Sequence, residues 1–154
     1  MSGRPCVINA SRDFMRIGII CSTTAYNKIP EVSSFLENMG HVPVMPNCYD
    51  DPIYNEDTEK MNENQYLSFF KSMYYQSRER TASLDAVLVL NEPKEKGGRV
   101  IPNYIGASTF LEMYEAFMQG KKIYILYDLP DSMLLDEIKG FAPILLHGNL
   151  NNIQ

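Results

Sequence analysis

The chain has 154 residues, with 14 Lys+Arg against 19 Asp+Glu, a formal net charge of -5, 45% hydrophobic and 21% charged residues. That length and apolar content fit one globular domain and exclude a disordered chain. The acidic balance, with no basic block, excludes a nucleic-acid or anionic-membrane binder that draws its affinity from clustered Lys and Arg, so a small-molecule ligand or a protein partner is expected.

Residues 1–14 precede the first strand pattern and read as an extension or an added edge element of the single domain. Arg16-Ile-Gly-Ile-Ile-Cys21 is a β-branched apolar run of the kind that forms a buried parallel strand. The polar turn Ser22–Asn27 follows. Pro30, Val32, Phe35, Leu36 and Met39 then keep helical spacing up to Gly40, a suitable residue just past a helix end. His41–Met45 is a second short strand, and Pro46 to Asp57 a polar loop. Glu59 to Arg80 reads as one long helix, with Met61, Tyr66, Phe69, Phe70, Met73 and Tyr74 as core and interface surface. Asp85–Asn91 is the third strand, followed by a charged, glycine-containing loop from Glu92 to about Gly106. A helix over Ala107–Gln119 is closed by Gly120. Lys122–Tyr127, a short helix Asp131–Lys139 and a last strand Ala142–Leu146 complete the pattern.

Strands alternating with helices imply right-handed βαβ units and an α/β, three-layer Rossmann/flavodoxin-like fold, its five-stranded parallel sheet in the order 2-1-3-4-5. Ligands of such sheets bind beyond the carboxyl ends of the strands, at the switch point between the first and third. Ser22 to Tyr26 and Glu92 to Ser108 are therefore expected at one site.

The helix Ala107–Gln119 is apolar except for Glu112 and Glu115. Helical spacing puts Thr109, Glu112, Met113, Ala116 and Phe117 on one face and Leu111, Tyr114, Glu115 and Met118 on the other. The small Ala116 suits the sheet side, which turns Glu112 inward near the switch point. A carboxylate there is expensive unless it is solvated in a pocket or hydrogen-bonded, and so marks a candidate site; the favourable helix dipole is the alternative reason for its place. Gly97, Gly98, Gly106 and Ser108 before this helix, and Ser22, Thr23 and Thr24 after the first strand, carry backbone N–H groups and hydroxyls suited to a phosphate, without a Walker or dinucleotide fingerprint. Tyr26, Asp85 and Asn91 complete the expected substrate-binding set. Cys6, Cys21 and Cys48 are irregularly spaced and, with only His41 and His147, give no zinc pattern. They read as reduced thiols, and neither a metal nor a cofactor is expected. With no apolar run of about 18 residues and no signal-peptide pattern at the N-terminus, a cytoplasmic protein without membrane contact is expected.

Asp85–Asn91, followed by Tyr104-Ile-Gly-Ala-Ser-Thr-Phe-Leu-Glu112-Met-Tyr-Glu-Ala116-Phe-Met-Gln-Gly-Lys-Lys-Ile-Tyr-Ile-Leu126, resembles the nucleoside 2-deoxyribosyltransferase-like superfamily. The resemblance covers residues 16 to about 149, and Glu-x-x-x-Ala, here Glu112 to Ala116, is its specific part. It implies that Glu112 is a nucleophile attacking the anomeric carbon of a nucleoside or nucleotide, forming a sugar ester that passes to another base or to water. The chain departs from the pattern at Gly106, where the transferases carry an acid and the related monophosphate hydrolases a serine. It departs again before the third strand, where Ser77 and Glu79 stand in a region that usually holds an aspartate. Two other readings are a non-catalytic nucleotide-binding module and an NAD-type glycohydrolase. The second apolar stripe, Leu111, Tyr114 and Met118, together with the resemblance, leads to the expectation of a homodimer or larger homo-oligomer.

Overall fold

A computed structural model describes residues 13–53 and 55–154. The elements in chain order are β1 (Arg16–Ile20), α1 (Ile29–Asn38), β2 (Val42–Val44), α2 (Asn55–Glu59), α3 (Glu63–Ala82), β3 (Ala86–Val89), β4 (Lys94–Lys96), β5 (Arg99–Ile101), α4 (Ala107–Met118), β6 (Lys122–Ile125), α5 (Leu135–Gly140) and β7 (Ile144–Leu145). The main sheet runs β2-β1-β3-β6-β7 with every pairing parallel, which is the expected 2-1-3-4-5 order among its strands.

Because side chains alternate along a strand, each apolar run feeds two cores. Ile17, Ile19, Ala86, Leu88 and Tyr124 pack with Ile29, Val32 and Leu36 of α1 on one face. Ile20, Val87, Val89, Ile123 and Ile125 pack with Met113 and Ala116 of α4 and Ile138 of α5 on the other. The first core continues to Ile153, beyond the last strand. No helix among the described residues is long and apolar enough to cross a membrane.

Several expected elements differ. The single helix from Glu59 to Arg80 is two, because Asn62 starts α3 with a reciprocal cap: its side chain accepts the Gln65 N–H at 2.9 Å, and the Gln65 side chain accepts the Asn62 N–H at 3.0 Å. Only Thr81 of α3 is buried, so the aromatic residues of this helix are not core. Much of the polar turn after β1 is a 3-10 helix, Thr23–Lys28. The charged loop after β3 folds into the antiparallel hairpin β4–β5, turning at Gly97 and Gly98 with φ of 60° and 75°, values that suit glycine. Phe117 does not share the inward face: it is exposed, its ring 5.4 Å from that of Phe141. Of the expected extension, residues 1–12, including Cys6, lie outside the described residues; Met15 is buried and donates its N–H to Nδ1 of His41 at 3.0 Å.

Candidate active site

The site begins with a gap in the sheet. β2 pairs with β1 only as far as Val44 beside Gly18, so the carbonyls beyond that point lack ladder donors. Arg80, near the end of α3, supplies them. Its Nε donates to Met45 O at 2.8 Å, and its Nη2 to Ile19 O at 2.8 Å and Val44 O at 3.0 Å. The guanidinium thus holds the two chains where they separate, at the switch point. It reaches them because residue 18 is glycine: a Cβ there would stand 2.4 Å from Leu84 Cδ1 and 3.3 Å from Arg80 Nη2.

Glu112 comes to the same place from the second turn of α4. Its Oε1 accepts the Ser77 hydroxyl at 3.3 Å, and the Ser77 oxygen accepts Nδ2 of Asn47 at 2.9 Å. Three segments far apart in sequence, the loop after β2, α3 and α4, therefore meet in one hydrogen-bonded line. Burial raises the pKa of Glu112, while the positive charge of Arg80 and the Ser77 bond act against the rise. Burial lowers the Arg80 pKa, opposed by Glu112. The Cys21 thiol is pushed up to about 12 by burial and then by the negative charge of Glu112, so it is no thiolate at neutral pH. Burial likewise pushes the Tyr26 phenol up to about 12.

Of these groups Cys21, Tyr26, Asn47, Ser77 and Glu112, but not Arg80, border a cavity of about 680 Å³, within the usual small-molecule range of about 300–1,000 Å³. Of the expected site residues, Ser22, Thr23, Tyr26, Gly106, Ser108 and Glu112 line it. Thr24 does not: it is exposed, with its hydroxyl 3.2 Å from that of Ser22. Asp85 stands at the opposite, amino edge of the sheet, where its carboxylate accepts the Arg16 N–H at 2.8 Å. Its place is explained by that bond rather than by a ligand. Asn91 is buried behind the wall, donating to Asp128 O at 2.8 Å and accepting the Tyr127 N–H at 3.0 Å, and so ties the loops after β3 and β6 together. Gly97 and Gly98 form the hairpin tip, with nothing near their α-carbons for an added side chain to meet.

Sequence reasoning missed Asn47 and Arg80, and it gave Ser77 no role of its own. Met73, Ser77 and Arg80 follow one another at i, i+4 and i+7 on α3, a face that passes from apolar to polar toward the sheet. That change was the available signal; Asn47 carries none. Six aromatic residues, Tyr26, Phe69, Phe70, Tyr74, Tyr104 and Tyr114, border the cavity. Glu115 stands at its rim, accepting Nε2 of Gln119 at 2.7 Å and pairing with Arg78 at 3.4 Å. No cluster of His, Cys, Asp and Glu suited to a metal occurs among the described residues.

Comparisons with protein-family models, with curated proteins and with solved structures find no match to this chain.

Proposed function

We propose that the chain cleaves or exchanges the N-glycosidic bond of a (deoxy)nucleoside or nucleotide, with Glu112 as the nucleophile. One observation carries this reading: a buried carboxylate, Glu112, fixed by Ser77 and backed by Arg80, borders a nucleoside-sized cavity at the carboxyl edge of a parallel sheet. The resemblance around Glu112 to Ala116 supports the same chemistry.

As the base departs, positive charge develops on the anomeric carbon and ring oxygen. An ionised Glu112 stabilises that charge and then bonds to the carbon. The Asn47–Ser77 line holds one carboxylate oxygen and leaves the other for the sugar. Tyr and Phe rings supply flat surfaces for a base. The leading N–H groups of α4 at Gly106 to Ser108, together with the Ser22 and Thr23 hydroxyls, suit sugar oxygens.

The test is incubation of the protein with deoxynucleosides, deoxynucleotides and NAD, with released base measured by chromatography. Release that disappears in Glu112→Gln is the expected result. Equal release by Glu112→Gln and the parent would overturn the reading, and binding without release would favour a non-catalytic module. Release from NAD alone would favour the glycohydrolase.

A further inference from the structure

The charge of the cavity wall is one-sided. No Lys, Arg or His is among the described residues that line it, whereas Glu112 and Glu115 both are. Three neighbouring cations already have partners: Arg80 in three backbone carbonyls, Arg78 in Glu115, and Lys94 in the face of Tyr104 at 4.6 Å from the ring centre. The charges of Arg80 and Arg78 act on Glu112 and Glu115 from outside the lining, so inside the cavity a phosphate would meet two carboxylates and, for binding, neutral donors and the amino end of α4, which carries about half a unit charge. The same wall favours a cation, because carboxylates attract it and the rings of Phe69, Phe70 and Tyr74 offer cation–π attraction.

The wall also lacks an acid for the departing base. If Glu112 attacks, the only other carboxyl group among the described lining residues is Glu115, which is held by Gln119 and Arg78. The other lining donors are hydroxyls, phenols, the Asn47 amide and the Cys21 and Cys48 thiols, and the Cys21 thiol and the Tyr26 phenol are each pushed up to about 12 by burial.

From the charge and chemistry of these walls we infer that the preferred substrate is a nucleoside without phosphate whose base is already positively charged, such as an N-alkylated purine or a pyridinium. This rests on the reading of Glu112 as nucleophile. A Glu112 oxygen bonds to the anomeric carbon as the carbon–nitrogen bond breaks. The electron pair of that bond passes to the ring nitrogen and neutralises it, so the base leaves neutral and needs no proton. Water then bonds to the same carbon, loses one proton to solvent and restores the Glu112 carboxylate. In sum, a cationic nucleoside and water become neutral base, free sugar and one proton. The arriving cation also favours ionisation of the buried carboxyl group that must attack it.

The experiment compares kcat/KM for 7-methyl-2′-deoxyguanosine, 2′-deoxyguanosine and 7-methyl-2′-deoxyguanosine 5′-monophosphate, each beside its ribose counterpart. Spontaneous loss of base, measured with the Glu112→Gln protein, is subtracted, and the sugar that turns over faster decides. The methylated nucleoside is expected to exceed both the neutral nucleoside and the methylated monophosphate at least about tenfold, a difference of about 1.4 kcal/mol. Glu115→Gln should raise KM for the methylated nucleoside severalfold with little change in kcat. Neutral and methylated nucleosides cleaved within threefold of each other would overturn the inference and leave the role of Glu112 intact, as would a monophosphate cleaved faster than its nucleoside. No release from any of the six compounds would overturn both.

Discussion

Burial makes ionisation of the Glu112 carboxyl group harder, against the opposing pull of the Arg80 charge and the Ser77 hydrogen bond. Its folded-state pKa lies above the unfolded value, so the stability it contributes is present below the ordinary carboxylate range and is lost as pH rises through the folded value. Glu112→Gln is therefore expected to melt higher than the parent at pH 7–8, with the difference shrinking toward pH 4; thermal unfolding across that range checks it. The same shift sets the activity profile. Attack needs the ionised form, so base release should rise with pH along a limb lying above the ordinary carboxylate value of about 4.3. Glu112→Gln should lower release by about a thousandfold or more, while Glu79→Gln, exposed on α3, should match the parent. Glu112 was legible in the sequence because it interrupts an otherwise apolar helix. Its partners were not, since Asn47 and Ser77 look like ordinary solvated residues until the fold brings them together across 30 and 35 positions.

Between elements, the decisive device is the Arg80 guanidinium spanning β1 and the chain leaving β2. Arg80→Ala strands three carbonyls in a partly buried place and is expected to destabilise the fold by about 3 kcal/mol. Gly18→Ala places a methyl group against Leu84 and Arg80, with an expected loss of about 1–3 kcal/mol. Urea unfolding of the two variants and the double variant should show losses that do not add, because both act on one junction. The strands themselves were readable as short β-branched runs, and α4 as an apolar helix closed by glycine. The hairpin β4–β5 was not, because Lys94-Glu-Lys96 and Arg99-Val-Ile101 lack the alternation of a half-buried strand. The break before α3 was readable in principle: Asn62 with Gln65 three positions on is a capping-box pattern, hidden by the aromatic spacing around it.

At the scale of the whole molecule, the outer face of α4 stands open. Leu111 is 44% exposed, Tyr114 48% and Met118 61%, and a shallow apolar groove beside them is lined by Phe110, Phe117 and Phe141. We propose that this face joins two copies of the chain, since a contiguous apolar patch of this kind marks association and two-fold pairing is the commonest closed form. Light scattering at tens of micromolar is expected to give about twice 17.6 kDa, and Met118→Glu to give the single-chain mass with unchanged circular dichroism. A single-chain mass for the parent would end the proposal. The glycine turn of the β4–β5 hairpin has a practical consequence. Its backbone already adopts a left-handed bend in open solvent, and the strand on one side carries Lys94 onto Tyr104 at the cavity wall. An environment-sensitive dye on a cysteine inserted between Gly97 and Gly98 would leave both cores untouched and, through that short lever, convert cavity occupancy into fluorescence. Candidate ligands could then be screened before any product is known.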